Sequence, residues 1–399
     1  MSNYVHPRLD PNDRFRERRR QSIVKRRRRR LAAATILLAV GAGLGAGATQ
    51  ISGKKHSSSS SSAPAISQAP ARVAKPTLPR AYPREVRGVH VTMGLAGLEG
   101  KIDEYVALKS YGLNTLEVDV KDENGKVGFV SSAMPKLAHE VGSAQPYYDV
   151  DKVVRTVHAA GMYLIGRVVV MEDPTLSAAR PDLALLRPDG SRWLNNGGLG
   201  WVNPYDQRVW RYVVGVGAAA AKAGFDEIQF DYVRFPSDGD LSQIVYRHKV
   251  HEPKGTTIAR FLRYAGSRLH PLGVRVSADV FGLAATHDLG IGQVPRRVAR
   301  YVDALYPMVY PSHFSSGEYG IQNPDAYPGR TVARALLDFR RQVKGMHIAL
   351  IPWLQDFSLA HRYTLIEVTD QIAAARRQHA GGFLLWNPEG LYTREALTD

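Results

Sequence analysis

Asp231 ends the apolar part of the run Glu227-Ile-Gln-Phe-Asp-Tyr-Val-Arg-Phe-Pro236. Aromatic and aliphatic residues are dense from Ile228 to Phe235, which favours a strand. Alternation sets Glu227, Gln229 and Asp231 on one face and Ile228, Phe230 and Tyr232 on the other. Three polar groups on one face require an interior that satisfies them, and an ionised Asp there is paired, hydrogen-bonded or functional. The structural alternative is an Asp that only anchors Arg234 or a loop amide. A second carboxyl, Asp279, sits in Val276-Ser-Ala-Asp-Val280, and a third, Asp119, in Glu117-Val-Asp-Val-Lys121. Cleavage of a glycosidic bond needs two such groups, one giving a proton and the other acting as nucleophile or base.

The remaining polar and aromatic residues near the ends of apolar runs fit that chemistry. His90, Lys121, Arg167, Tyr310, His313, Trp353, Gln355, Trp386 and Asn387 are candidates for holding substrate. Carboxylates and amides bind hydroxyls, while aromatic faces stack on the apolar faces of sugar rings. Each has a structural alternative. Lys121 can pair with Asp119, Arg167 can neutralise interior carboxylates, His313 can cap a loop, and the two tryptophans can be core. No metal or cofactor is expected. The chain has no cysteine, its histidines lack the spacing of a zinc helix, and Asp122-Glu-Asn-Gly125 reads as a turn without the rest of a calcium loop.

These residues need strands to carry them. Eight candidate strands follow one another: 86–92, 114–121, 163–172, 227–235, 274–281, 304–310, 347–353 and 382–386. Helical patterns lie between them at 98–111, 150–160, 207–223, 257–269, 294–302, 332–343 and 365–379, several stopped by glycine. The repeated helix, glycine, apolar strand is the rhythm of a parallel α/β sheet. Eight strands predict a closed (β/α)8 TIM barrel over residues 86–399, with its site at the C-terminal strand ends. An open doubly wound sheet would carry a glycine-rich phosphate turn after the first strand, and Met93-Gly-Leu-Ala-Gly97 lacks that spacing.

Three segments precede the barrel. Residues 1–30 hold eleven arginines and Lys25 against Asp10, Asp13 and Glu17, a net +9 of the chain's +16. The basicity is therefore largely a property of the tail, and nucleic acid is not an expected partner of the folded domain. Residues 31–48 are 18 uncharged residues, just enough to cross a bilayer about 30 Å thick. With arginines on their N-terminal side they predict a single transmembrane helix with the C-terminal domain outside. A signal peptide cleaved near Ala46-Gly-Ala48, or a twin-arginine signal at Arg29-Arg30, is the rival reading. Residues 49–85, with the serine run 57–62 and five prolines, predict a disordered linker.

Six ordered stretches together are similar to one family. Arg87-Gly-Val-His90, Asp119-Val-Lys-Asp-Glu-Asn-Gly125, Phe230-Asp-Tyr-Val-Arg-Phe-Pro236, Ser277-Ala-Asp-Val-Phe-Gly282, Pro307-Met-Val-Tyr-Pro-Ser-His313 and Pro352-Trp-Leu-Gln355 resemble the glycoside hydrolase family of bacterial exported TIM barrels, long carried as a domain of unknown function. The resemblance covers about residues 84–392. It implies a polysaccharide of the envelope or surroundings as substrate, and it puts the fourth-strand catalytic carboxylate of glycosidase barrels at Asp231. Many such barrels supply a later Glu as the acid; here strand five offers the shorter Asp279. The pair is then Asp231 with Asp279 or with Asp119, and Glu172 is a third choice. A membrane-tethered barrel that binds glycans without cleaving them is the alternative function.

Overall fold

The structure is a computed structural model, and it describes residues 81–247 and 252–398. The basic tail, the predicted membrane segment and most of the linker lie outside the described residues. Among the described residues no helix is long and apolar enough to cross a membrane.

Among the described residues nine strands form one all-parallel sheet: β1 Val86–Val91, β2 Thr115–Lys121, β3 Tyr163–Val169, β4 Glu227–Asp231, β5 Arg275–Phe281, β6 Ala304–Met308, β7 Ala349–Leu350, β8 Trp353–Gln355 and β9 Gly382–Trp386. β1 pairs with both β2 and β9, and β5 pairs with β6, so the sheet closes on itself. β7 and β8 are two pieces of a single stave. β7 pairs with the start of β6 and β8 with its end. Pro352 lies between them and has no N–H to give, which interrupts the ladder. The result is the expected eight-stave barrel. β9 enters close beside β1 at Gly382, where a Cβ would lie 2.0 Å from the Val86 carbonyl oxygen.

Helices Lys101–Ala107, Val150–Ala159, Gln207–Ala223, Lys254–Leu269, Pro328–Gln342 and Leu365–Arg377 surround the barrel. The pattern at 294–302 yields only one turn, Pro295–Val298. Alternation works as the sequence requires. Ile228, Phe230, Val276 and Ala278 join the outer core against the helices, while Tyr163, Ile165, Tyr306, Trp353 and Leu384 fill the barrel.

The N-terminal end of the barrel is polar and sealed. Tyr82 packs edge-on to Tyr163, sits 4.5 Å below the Arg275 guanidinium and touches the Tyr306 hydroxyl at 3.3 Å. Above it, Glu227 is fully buried and accepts from the Tyr163 hydroxyl at 3.1 Å. Burial pushes its pKa up to about 7, against the pull of the Ser277, Tyr306 and Tyr163 hydroxyls. A raised carboxyl is fully stabilising below its unfolded value near 4.5, and that contribution is lost as pH rises toward 7. Glu227→Gln removes the titration. Melts of variant and parent should therefore diverge in the variant's favour by about 3 kcal/mol between pH 4 and pH 8; a constant difference across that range would refute the assignment.

Candidate active site

The C-terminal strand ends surround a cleft in two parts. The inner cavity, about 180 Å³, is bounded by Asp231, Arg167, His90, Tyr310, His313, Trp353 and Trp386 among others. An outer groove of about 1040 Å³ adjoins it, shares His90, Arg167, Glu172, Tyr232 and Trp386, and adds Asp119, Glu123 and Asn387.

Arg167, from β3, organises the acids. Its Nη2 donates to Asp231 Oδ2 at 2.7 Å and its Nη1 to Asp119 Oδ1 at 2.6 Å. Glu123 and Glu117 follow at 3.9 and 4.0 Å. Burial pulls the guanidinium down, but these carboxylates hold its pKa above the usual arginine value. Asp231 also accepts from the Tyr232 amide at 2.6 Å. β4 stops at that point because Tyr232 turns to a φ of +50°, a conformation rare for a bulky residue. The predicted strand to Phe235 is thus shortened by a bend that aims Asp231 into the cleft.

Asp279 lies one residue past the Phe230–Ala278 pair on β5, as Asp231 does on β4, so the two occupy neighbouring staves at one level. Asp279 is 1% exposed, and its Oδ1 accepts from Gln229 Nε2 at 2.7 Å and Trp353 Nε1 at 2.8 Å. Burial first, then the Asp231 charge, raises its pKa well above the carboxylate range, against the Trp353 hydrogen bond and Arg167. His90 hydrogen-bonds Glu117 through Nδ1 and lies 3.7 Å from Asp119 through Nε2. Burial pulls the imidazole down, yet Glu117 and Asp119 outweigh it and leave its pKa raised.

Tyr310, Trp386 and Phe357 form a ring cluster with centroids 5.0–6.0 Å apart, and His313 joins Tyr310 at 5.0 Å. Tyr310 and Trp386 line the inner cavity with Trp353, and Phe357 and Trp386 line the outer groove.

Three predicted contributors have other employment. A register shift between Asp119 and Lys121 places Lys121 opposite Val168, on the helix side of the sheet. There its Nζ meets Asp173 at 3.0 Å and the Val169 carbonyl at 2.9 Å, with both side chains fully buried. The bulge breaks the alternation that put Lys121 beside Asp119. Lys121→Met should cost about 3–5 kcal/mol by stranding Asp173, while folded protein keeps its ligand affinity. An unchanged melting temperature would contradict this. Gln355 spends its amide on Ser312 N and the Phe357 carbonyl, and so holds the loop under His313. Asn387 donates to the Asp356 carbonyl and accepts from Glu389 N, fixing a turn at the groove's edge. Asp122-Glu-Asn-Gly125 is a turn, with Asp122 Oδ1 accepting from the amides of Asn124 and Lys126.

Sequence reasoning missed Glu117 as the partner of His90, although it lay on the same polar face. It also missed Asn195, which donates to Glu172 at 2.8 Å. Asn195 belongs to the long excursion between β3 and the helix Gln207–Ala223, where short antiparallel bridges such as Glu172–Trp201 and Leu194–Gly200 fold back over the cleft. Arg234 was read only as a partner for Asp231, which pairs with Arg167 instead, and Phe281 and Phe314 on the inner cavity were not singled out.

A parallel barrel with an acid-lined cleft at its C-terminal end is an architecture of glycoside hydrolases. The chain belongs to the family described as "Putative glycosyl hydrolase domain", whose pattern matches residues 88–392. Among solved structures, a hypothetical protein from Ruminiclostridium thermocellum is 36% identical over 48% of this chain and 97% of its own, with a TM-score of 0.44. The glycoside hydrolase domain of PgaB (BpsB) from Bordetella bronchiseptica is 14% identical over 79% of this chain and 99% of its own, with a TM-score of 0.54. A family 20 exo-β-N-acetylglucosaminidase from Vibrio harveyi is 14% identical over 79% of this chain and 53% of its own, with a TM-score of 0.50. The two more distant likenesses speak to the fold. No curated protein matches the chain.

Proposed function

We propose that this protein is a glycoside hydrolase that cleaves a polysaccharide of the cell envelope or its surroundings with two carboxyls. Asp231 is the carboxylate, nucleophile or stabiliser, and Asp279 is the proton donor. The observation that carries this reading is the contrast between them. Asp231 faces the cavity against Arg167, while Asp279, on the next stave at the same level, is raised by burial and by the Asp231 charge. Two carboxyls in such different surroundings divide the roles of base and acid. Adjacent parallel staves lie about 4.8 Å apart, which favours the closer carboxyl spacing and retention of anomeric configuration. Asp119, also held by Arg167, supports the charge balance and faces the outer groove. The ring wall of Tyr310, Trp386 and Phe357 would take the sugar face. The N-terminal apolar segment would hold the barrel at the outer membrane surface, or be cleaved to release it.

The test is hydrolysis of a panel of bacterial cell-wall polysaccharides and exopolysaccharides by protein that begins before Tyr82, beside Asp231→Asn. Product released by the parent and lost in the variant supports the reading, and the anomer first released reports retention. Binding to a glycan with no release, in parent and variant alike, would instead identify a glycan-binding barrel.

A further inference from the structure

Two arginines line the inner cavity, and they are treated differently. Arg167 is surrounded by carboxylates. Arg234 is 4% exposed, and among the described residues no carboxylate pairs with it. Its guanidinium lies 4.9 Å from the Trp201 ring, 4.8 Å from Tyr232 and 4.8 Å from Phe281. Nη1 donates to the Phe235 carbonyl at 3.2 Å and to Ser237 Oγ at 2.9 Å. Nε and Nη2 donate to no protein acceptor among the described residues. Ring faces attract a cation, but they accept none of its N–H groups in the guanidinium plane. With no protein acceptor on the Nε and Nη2 edge, that edge is left to the space of the cavity, where an anionic ligand can meet it.

The unused edge has a defined shape. Nε and Nη2 are the two parallel donors that match a carboxylate bidentately. The rings and the Phe235–Ser237 contacts hold the plane of the fork, so little orientation is lost on binding. Leu283, Met308 and Phe314 line the same cavity without charge, and its two carboxylates, Glu172 and Asp231, accept from Asn195 and Arg167. Arg167 is already occupied by the protein's own acids and gives a ligand anion little reason to go there instead.

We propose that Arg234 receives a carboxylate borne by the sugar in the inner cavity, so that the substrate of this protein is an acidic polysaccharide built with uronic-acid-type units. This rests on the reading of the cleft as a sugar site, and it does not depend on turnover. The experiment is a titration of the full chain with glucuronate and with glucose, which differ in the C6 carboxylate, followed by ligand-observed NMR. Glucuronate should bind about tenfold more tightly than glucose, the worth of one charge-assisted pair. In Arg234→Gln the preference should vanish while glucose affinity stays. Arg234→Lys, which keeps the charge among the three rings but not the fork, should keep part of it. Equal affinity for the two sugars, binding of neither, or a preference that survives Arg234→Gln would overturn the proposal. The comparison of the two sugars on the parent chain decides even where a variant folds poorly. Because the readout is binding, a chain that hydrolyses nothing can still pass, and an active chain can still fail.

Discussion

Asp231→Asn should lower kcat by about 10⁴-fold on whichever glycan the parent cleaves, with far less change in KM. The amide keeps the size of the side chain and can still face Arg167, so ground-state binding is preserved, but it can neither attack nor offset a developing oxocarbenium charge. Asp279→Asn should cost about 10²–10⁴-fold through loss of the proton donor, least for substrates whose leaving group needs no proton. The pH dependence carries a distinct signature. The donor acts only while protonated, so the alkaline limb of the rate profile follows Asp279. Its pKa is raised by burial and, next, by the Asp231 charge. Removing that charge must lower it. Carboxyl NMR titration of Asp231→Asn should therefore show Asp279 ionising at lower pH than in the parent, a result readable without turnover. An unmoved Asp279 titration would show that the two do not act as a pair. Trp353→Phe works the other way, since the indole donor favours the ionised form.

Replacement of Arg167 should be the most destabilising single change in the cleft. Four carboxylates lie within 4.0 Å of its guanidinium. Arg167→Met keeps much of the side-chain volume and removes the cation, which should cost about 3–5 kcal/mol. The deficit should depend on pH, and the sign follows from Glu117 and Glu123. Both have raised pKa values, burial being the main cause and Arg167 the principal restraint on Glu123, while His90 and then Arg167 restrain Glu117. Without the arginine these values climb further. A carboxyl raised in the folded state loses stabilisation as pH rises from its unfolded value through its folded one. The melting deficit of Arg167→Met should therefore be larger at pH 8 than at pH 5. A deficit that is the same at both, or larger at pH 5, would mean that the arginine acts through packing alone.

The barrel was legible because strand and helix periods survive in the sequence wherever an element is regular. β1 to β6 and β9 each match their predicted runs within a few residues at the ends. The polar face of β4 and the carboxyl on β5 followed from alternation alone. Lys121 was misplaced for the same reason that Asp119 was found: a period of two holds only until a bulge, and nothing in Glu117-Val-Asp-Val-Lys121 announces one. Gln355 and Asn387 were recognisable as polar groups at strand ends, but the backbone partners that consume them come from loops whose paths no spacing encodes. The bend at Tyr232 is a left-handed residue without glycine to mark it. Asn195 and the excursion around it are irregular chain, where periodicity has nothing to measure.

Tyr82 marks the end of the barrel at which the chain enters. The chain enters at the end closed by Tyr163, Arg275 and Tyr306, and the acids of the cleft open at the other. The residues upstream of Tyr82 thus join the barrel at its blind end. A polymer lying across the mouth would meet the barrel at the end opposite the one where the chain enters.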